Sequence, residues 1–305
     1  MEPAEIVEYG DPAGWVAQAR HYPADGPPIV LVHGMGANHY NWDYDPAISP
    51  VDELNAAGWD VWILTLPGDK SSKAGPDAPV VDFDALVQVH LPAAVAKVLE
   101  VTGHEKVYWI GHSMGGMLLY ASVRDLPIAA GVAISSPGQF HHATKMTKIA
   151  SKGQIVPKEP PFDQSELVAK VAWSVPINPV VGLVGTRKHL DSGLLEGLAS
   201  HALDDTPVHV TAQVASWVHA DGEMRTQDGE TLVDFHSKVP LLAFGGTKDK
   251  LVSDDDVKFS CERFVDCTYV ELKGYGHVDT VFGTTAGTDV YPQMLEWLNA
   301  QRDAK

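Results

Sequence analysis

The chain has 305 residues, a length that suits one large domain or a core with an inserted subdomain. Hydrophobic residues make up 45% and charged residues 20%, as in globular proteins that bury a sizeable core. The formal net charge of −18 repels polyanions, so we expect neither nucleic acid nor anionic lipid headgroups as partners.

Few features of the sequence bear on location. Residues 1–6 lack the basic start and the apolar segment of a secretory signal, and no apolar run looks long enough to span a bilayer. We therefore expect a cytoplasmic location without integral membrane association. The two cysteines, Cys261 and Cys267, are too few for a disulfide framework, and we expect both to be reduced thiols. The sequence gives no indication of the oligomeric state.

Strands and helices alternate through the first half of the chain. Apolar and β-branched runs predict six strands, at residues 6–11, 15–22, 29–32, 59–66, 107–110 and 128–134. Helices are predicted at 50–58 and 82–101, the second kinked by Pro92 and ended near Gly103. Most of these strands are apolar throughout, which predicts an α/β fold with a mostly parallel central sheet and helices on both faces.

Residues 139–238 interrupt this alternation. They contain a proline cluster (Pro157, Pro160, Pro161) and scattered apolar residues, so we predict a mainly helical insertion after the sixth strand. The predicted core then comprises residues 1–138 and 239–305. Its second part contains strands at 239–246 and 268–272, a helix at 254–264 and a closing helix from 285 or 289 to 301.

The segment Gly111-His112-Ser113-Met114-Gly115 lies between a predicted strand and an apolar stretch with helical spacing. This GxSxG pattern is typical of a nucleophile elbow. A strand that turns directly into a helix leaves no room for side chains two positions before and after the central residue, which accounts for Gly111 and Gly115. The turn exposes the Ser113 hydroxyl at a helix N-terminus, whose partial positive charge favours a developing anion.

A serine nucleophile needs a base and a carboxylate that orients the base. Asp249 follows the strand predicted at 239–246, and His277 follows the next strand, so both are expected beside Ser113 at the carboxyl edge of the sheet. The nearby run 254–256 offers three alternative aspartates, which are more typical of a helix N-terminus. His277 is one of fourteen histidines, but it alone follows a strand at the expected place.

The loop His33-Gly34-Met35-Gly36 ends another apolar strand. Its glycines expose backbone N–H groups, so the N–H groups of Met35 and Met114 are candidate donors of an oxyanion hole. The sequence contains no HExxH, CxxC pair or phosphate-binding loop, and His141-His142 does not have the spacing of a catalytic metal site. We therefore expect no metal and no cofactor.

With these residues in place, the chain resembles the α/β-hydrolase superfamily over nearly its whole length. Two segments are similar to its acid lipase and polyhydroxyalkanoate synthase-like branch: residues 33–62, with Ala-Gly-Trp-Asp-Val-Trp at 57–62, and residues 275–291. The sequence departs from acid lipases at Leu66-Pro67-Gly68-Asp69, where they carry Arg-Gly, and from the polymer synthases in having serine as nucleophile. The resemblance implies that residues 139–238 form a lid over an acyl pocket.

These features favour a carboxylic ester hydrolase that acts on a small-molecule ester with a neutral or apolar acyl group. Acyl transfer, and cleavage of an amide, thioester or C–C bond, use the same acyl-serine chemistry and remain open. A non-catalytic ligand-binding protein of the same fold is a further alternative. That alternative is disfavoured because Ser113, Asp249 and His277 are all present.

Overall fold

The computed structural model of the protein describes residues 3, 5–152, 181–190 and 192–303. A nine-stranded sheet runs through this part of the chain. Its strands are β1 (Glu5–Gly10), β2 (Trp15–Tyr22), β3 (Pro28–Val32), β4 (Asp60–Leu64), β5 (Lys73–Ala74), β6 (Val107–His112), β7 (Ile128–Ile134), β8 (Leu241–Gly246) and β9 (Cys267–Leu272).

The spatial order is β1-β2-β4-β3-β6-β7-β8-β9. The short strand β5 is not part of this order and pairs with β2. Pairs formed by β1, β2 and β5 are antiparallel, and all pairs from β4 to β9 are parallel. The mostly parallel sheet predicted from the apolar strands is therefore confirmed. All five parallel strands from β4 to β8 are buried along their whole length, as expected for a sheet covered on both faces.

Twelve helices are described outside the sheet. They are α1 (Tyr40–Asp43), α2 (Val51–Ala56), α3 (Phe83–Thr102), α4 (Met114–Ser122), α5 (Lys145–Ser151), α6 (Val181–Val184), α7 (Ser192–Gly197), α8 (Val208–His219), α9 (Asp254–Arg263), α10 (Asp279–Phe282), α11 (Ala286–Asp289) and α12 (Tyr291–Asp303). A π-helical turn, Leu198–Ala202, continues α7.

Neighbouring strand residues point to opposite faces of the sheet and enter two separate cores. Val30 and Trp109 pack in the first core with residues of α3, α4 and α8. Leu31 and Ile110 pack in the second core with residues of α2 and α12. Helices therefore cover both faces, as the sequence predicts.

Helix α3 differs from the expectation of a simple kink at Pro92. A π-helical turn, Leu86–His90, precedes Pro92. Its wider winding makes room for the proline ring, which would otherwise clash with the preceding turn of the helix. Gly103 ends the helix in the left-handed conformation. By length and composition alone, α3 is the one described helix that could span a membrane. The sequence analysis expected no apolar run of sufficient length. Phe83, Leu86 and Leu91 on its inner side are at most 1% exposed in the first core.

Helices predominate in the described residues between β7 and β8, where α5, α6, α7 and α8 lie. The proline cluster of this region lies outside the described residues. Strand β5 was not predicted, so the insertion follows the seventh strand in the chain. The assignment of residues 139–238 as a separate lid stays a prediction.

The expectation of reduced thiols was wrong, because Cys261 and Cys267 form a disulfide. The end of α9 packs beside the start of β9, which brings the two Cα atoms to 5.4 Å, within the usual range for a disulfide. A count of cysteines cannot show this proximity, since it depends on how the helix returns to the sheet edge.

Candidate active site

Ser113 stands at the sharp turn between β6 and α4, with φ 52° and ψ −116°. A Cβ on Gly111 would lie 2.2 Å from the carbonyl oxygen of Gly115, and a Cβ on Gly115 would lie 2.1 Å from that of Val32. Neither position can hold a side chain without moving backbone. The two glycines thus allow Ser113 to keep a strained left-handed conformation at the tip of the turn.

His277 and Asp249 form a buried pair beside this turn. His277 Nδ1 lies 2.7 Å from Asp249 Oδ2, and the two side chains are 7% and 1% exposed. The other oxygen of Asp249 accepts hydrogen bonds from the backbone N–H groups of Leu251 and Val252, each at 2.8 Å. The carboxylate is thereby fixed, and it fixes in turn the orientation of the imidazole.

The three alternative aspartates at 254–256 lie apart from His277. Asp254 accepts a hydrogen bond from Tyr269, and Asp256 accepts one from the backbone N–H of His142. Burial raises the pKa of Asp256 to about 6. Asp255 is exposed in the first turn of α9. The structure therefore places Asp249, and not one of these residues, against the histidine.

Ser113 and His277 line one cavity together with Met35 and Met114. Met114 is the first residue of α4, so its N–H has no acceptor within the helix. The Met35 loop is pressed against the elbow, because a Cβ on Gly34 would lie 3.1 Å from that of Ser113. The structure thus brings the predicted nucleophile, base and oxyanion donors to the same cavity.

A buried pair that sequence reasoning did not identify supports the Met35 loop. His33 Nε2 lies 3.0 Å from Asp69 Oδ2, and His33 Nδ1 lies 2.9 Å from the carbonyl oxygen of Gly34. Burial by itself lowers the pKa of His33, but the Asp69 charge and hydrogen bond and the Gly34 carbonyl outweigh it, so the pKa is raised. Asp69 also accepts from the backbone N–H of Leu66. The partner of His33 thus comes from the stretch where the sequence departs from acid lipases.

His112, inside the elbow, contacts the base through the backbone. Its Nε2 lies 3.2 Å from the carbonyl oxygen of His277, and its Nδ1 lies 3.1 Å from Asn41 Oδ1. Burial, followed by the charge on His277, lowers the pKa of His112 well below 6.5. The neutral ring has one proton to donate to these two oxygens, and it packs against the His277 ring at 4.9 Å between centroids.

Asp279 lies two residues after His277. It is fully buried, and it accepts hydrogen bonds from the backbone N–H of Gly276 and from both the N–H and the hydroxyl of Thr186. Thr186 belongs to the insertion, 93 residues earlier in the chain. The signal in the sequence is an aspartate two positions after the histidine, but its partner could not be found without the fold.

The cavity has a volume of about 300 Å³ and is lined mainly by apolar side chains. Helix α8 contributes Val214, Ala215 and Val218, while α10 contributes Val281 and Phe282. Cavities of this kind suit small molecules with an apolar part. Among the described residues, no group of three or more His, Cys, Asp or Glu side chains is arranged to hold a metal ion.

Comparisons with known proteins bear on the family and the fold of the chain. A model of the alpha/beta hydrolase family matches residues 29–287. The chain is similar to human lipase member N, at 22% identity over 90% of this chain and 80% of that protein. It is also similar to human lysosomal acid lipase/cholesteryl ester hydrolase, at 30% identity over 33% of this chain and 27% of that protein. A thermophilic esterase from Thermogutta terrifontis has the same fold, with a TM-score of 0.69, 17% identity and coverage of 98% of this chain and 100% of that one.

Proposed function

This chain belongs to the alpha/beta hydrolase family, and from that premise we propose that it hydrolyses carboxylic esters through an acyl-serine intermediate. The observation that carries the proposal is the Asp249–His277 pair, whose histidine lines one apolar cavity together with Ser113. The substrate is a small-molecule ester with a neutral or apolar acyl group.

In the first half of the reaction, Ser113 Oγ attacks the acyl carbon while His277 Nε2 takes the hydroxyl proton. The C–O bond to the alcohol then breaks, and His277 returns the proton to the leaving alcohol. In the second half, water attacks the acyl-serine, His277 takes a proton from the water, and the acid leaves as Ser113 recovers its proton. Asp249 orients His277 and stabilises its charged form.

Charge develops on the former carbonyl oxygen in both halves. We assign the N–H groups of Met35 and Met114 as the donors to it, since Met35 lies on the loop after β3, Met114 begins α4, and both residues line the cavity. Donors fixed by backbone need little reorganisation when the charge appears, and loss of one donor typically raises the barrier by about 2.7–4 kcal/mol.

Two observations support an ester with an apolar acyl group. The cavity is lined by aliphatic and aromatic side chains from α8 and α10, as well as by methionines beside the elbow. Lipase member N, a relative named as a lipase, is similar to 90% of this chain. We further propose that the insertion acts as a lid, since α5 and α8 both contribute residues to the cavity wall.

The decisive experiment measures hydrolysis of 4-nitrophenyl esters from acetate to palmitate by the protein and by Ser113→Ala. Turnover that disappears in the variant supports the serine esterase, and the preferred chain length gives the usable depth of the pocket. Equal rates in both proteins, or none in either, would overturn the ester hydrolase. Assays with amides, thioesters and acyl acceptors other than water then distinguish the remaining acyl-serine reactions from ligand binding alone.

A further inference from the structure

Helix α5 presents one side to the cavity and a chemically different side to solvent. Thr147 and Ser151, one turn apart, line the cavity itself. Lys145, Lys148 and Ile149 share the outer side and are exposed to solvent. The helix therefore separates the proposed acyl pocket from the surroundings with a single layer of residues.

Three hydrogen bonds hold α5 in place, two to the loop after Asp249 and one to the end of α8. The hydroxyl of Thr144 donates to the carbonyl oxygen of Lys250 at 2.5 Å, and the hydroxyl of Thr147 donates to that of Leu251. Ser151 Oγ lies 2.9 Å from Nε2 of His219 at the end of α8. The outer side of α5 is thus held in a fixed relation to the Asp249 loop.

The outer side of α5 carries positive charge in an acidic protein. Residues 139–152 contain no aspartate or glutamate, whereas the whole chain has a net charge of −18. Lys145, Lys148 and Lys152 are all exposed, and so is Lys248 on the adjoining loop. Within the described part of the chain, none of these four lysines forms an ion pair with a carboxylate.

Large apolar side chains stand between these lysines. Ile149 is 62% exposed and Met146 is 39% exposed, although most residues of this type in the described chain are buried. Lysines that flank exposed apolar side chains on one helix face are typical of segments that lie in the headgroup region of a membrane. There the apolar tips enter the acyl boundary and the ammonium groups remain with the phosphates.

We propose that this face docks the protein onto an anionic lipid surface. The docking face consists of Lys145, Met146, Lys148, Ile149, Lys152 and Lys248. The net charge of the chain repels such a surface, but lysines gathered on one side act at short range and orient the molecule. The cavity wall that α5 forms then faces the membrane, where an apolar ester is most concentrated. The advantage of reaching an apolar ester rests on the proposed function, whereas docking to lipid does not.

The test is co-sedimentation of the full chain with vesicles of phosphatidylcholine alone and of phosphatidylcholine mixed with phosphatidylglycerol. We expect binding only to the mixed vesicles, weakened by added salt. The double variant Lys145→Glu/Lys148→Glu should lower the affinity at least tenfold, since each lysine near such a surface contributes about fivefold. Ile149→Ser tests the apolar contribution and should also weaken binding.

The matched control is Lys73→Glu/Lys106→Glu, which makes the same change in net charge. Lys73 lies on β5, beside β2 and away from β8, and Lys106 precedes β6, at the opposite end of the strand from Ser113. Its affinity should stay within about twofold of the wild type. Equal loss in both double variants, or no binding by the wild type, would overturn the proposal.

Further outcomes distinguish lipid docking from dimerisation and from the proposed ester hydrolysis. Sedimentation of the protein as a dimer without vesicles, abolished by Lys145→Glu/Lys148→Glu, would assign the face to a second copy and overturn the lipid docking. Hydrolysis of 4-nitrophenyl acetate should be unchanged in that variant, because neither lysine lines the cavity. Vesicle binding by a protein that hydrolyses no ester would support docking while rejecting the proposed function.

Discussion

Thr186 and Asp279 join the insertion to the loop that carries the candidate base. Both the N–H and the hydroxyl of Thr186 donate to the Asp279 carboxylate, at 2.9 and 2.7 Å, and the N–H of Gly276 donates to the same oxygen at 2.8 Å. Beside them, the backbones of Gly185 and Gly276 are in close contact, because a Cβ on Gly276 would lie 2.7 Å from the Cα of Gly185. The position of His277 thus depends on a segment of the insertion.

Asp279→Asn should destabilise the protein by about 1–3 kcal/mol, because a buried amide cannot accept all the hydrogen bonds of the carboxylate. The kcat for ester hydrolysis should also fall at temperatures where the variant stays folded, since the His277 loop loses its anchor. Urea unfolding and steady-state kinetics measure the two effects. Thr186→Val, which removes only the hydroxyl, should show a smaller loss in both. Unchanged stability in Asp279→Asn would contradict the anchoring role.

Asp249→Asn should lower kcat by about 10⁴-fold with little change in KM, because the asparagine holds His277 in the wrong tautomer. Asp254→Asn is the matched control, since Asp254 bonds to Tyr269 instead of the base. Its kcat should remain within a few-fold of the wild type. A larger loss in the control than in Asp249→Asn would reassign the acid.

His33 should make stability depend on pH. Its pKa is raised in the folded protein because the Asp69 charge and the Gly34 carbonyl outweigh the effect of burial. Its contribution is therefore fully present below the ordinary value of 6.5 and is lost as pH rises through the raised pKa. Urea unfolding of the wild type and of His33→Gln, below 6.5 and well above it, checks this. The difference between the two proteins should shrink at the higher pH, and a constant difference would refute the charged pair.

Removal of the disulfide in Cys261→Ala/Cys267→Ala should cost about 2 kcal/mol, the chain-entropy value for so short a loop. Activity should be unaffected at low temperature, because neither cysteine lines the cavity. Thiol titration of the denatured, unreduced wild type should find no free thiol among the two cysteines. Two free thiols would restore the expectation drawn from the sequence.

Elements with continuous apolar patterns could be predicted closely. The strand expected at 128–134 is Ile128–Ile134, because every residue in it is buried between two helical layers. Strand β5 was missed because Lys73 and Ala74 are exposed and pair only at the sheet edge. The closing helix is divided into α11 and α12 at Val290, because Pro292 has no N–H with which to continue the hydrogen bonding of α11.

In the candidate site too, features set by local sequence could be predicted and long-range contacts could not. Ser113, Asp249 and His277 each lie in the first few residues after a strand, so short local patterns point to them. In the structure Ser113 and His277 line one cavity, and His277 pairs with Asp249. The contacts of His33 with Asp69 and of Asp279 with Thr186 span 36 and 93 residues. Such partners depend on how loops from distant segments meet, and no local pattern specifies that.

The order of strands in the sheet also bears on how the chain is made. All strands from β1 to β7 come from residues 5–134 and are neighbours in the sheet, while β8 and β9 add at one edge. During synthesis, the strands that form the Ser113 turn are therefore complete before the segments that carry Asp249 and His277 are made. A nascent chain released early would hold a nucleophile without its base. Under the proposed mechanism, ester hydrolysis is therefore expected only once β9 and the segment that follows it have joined the sheet.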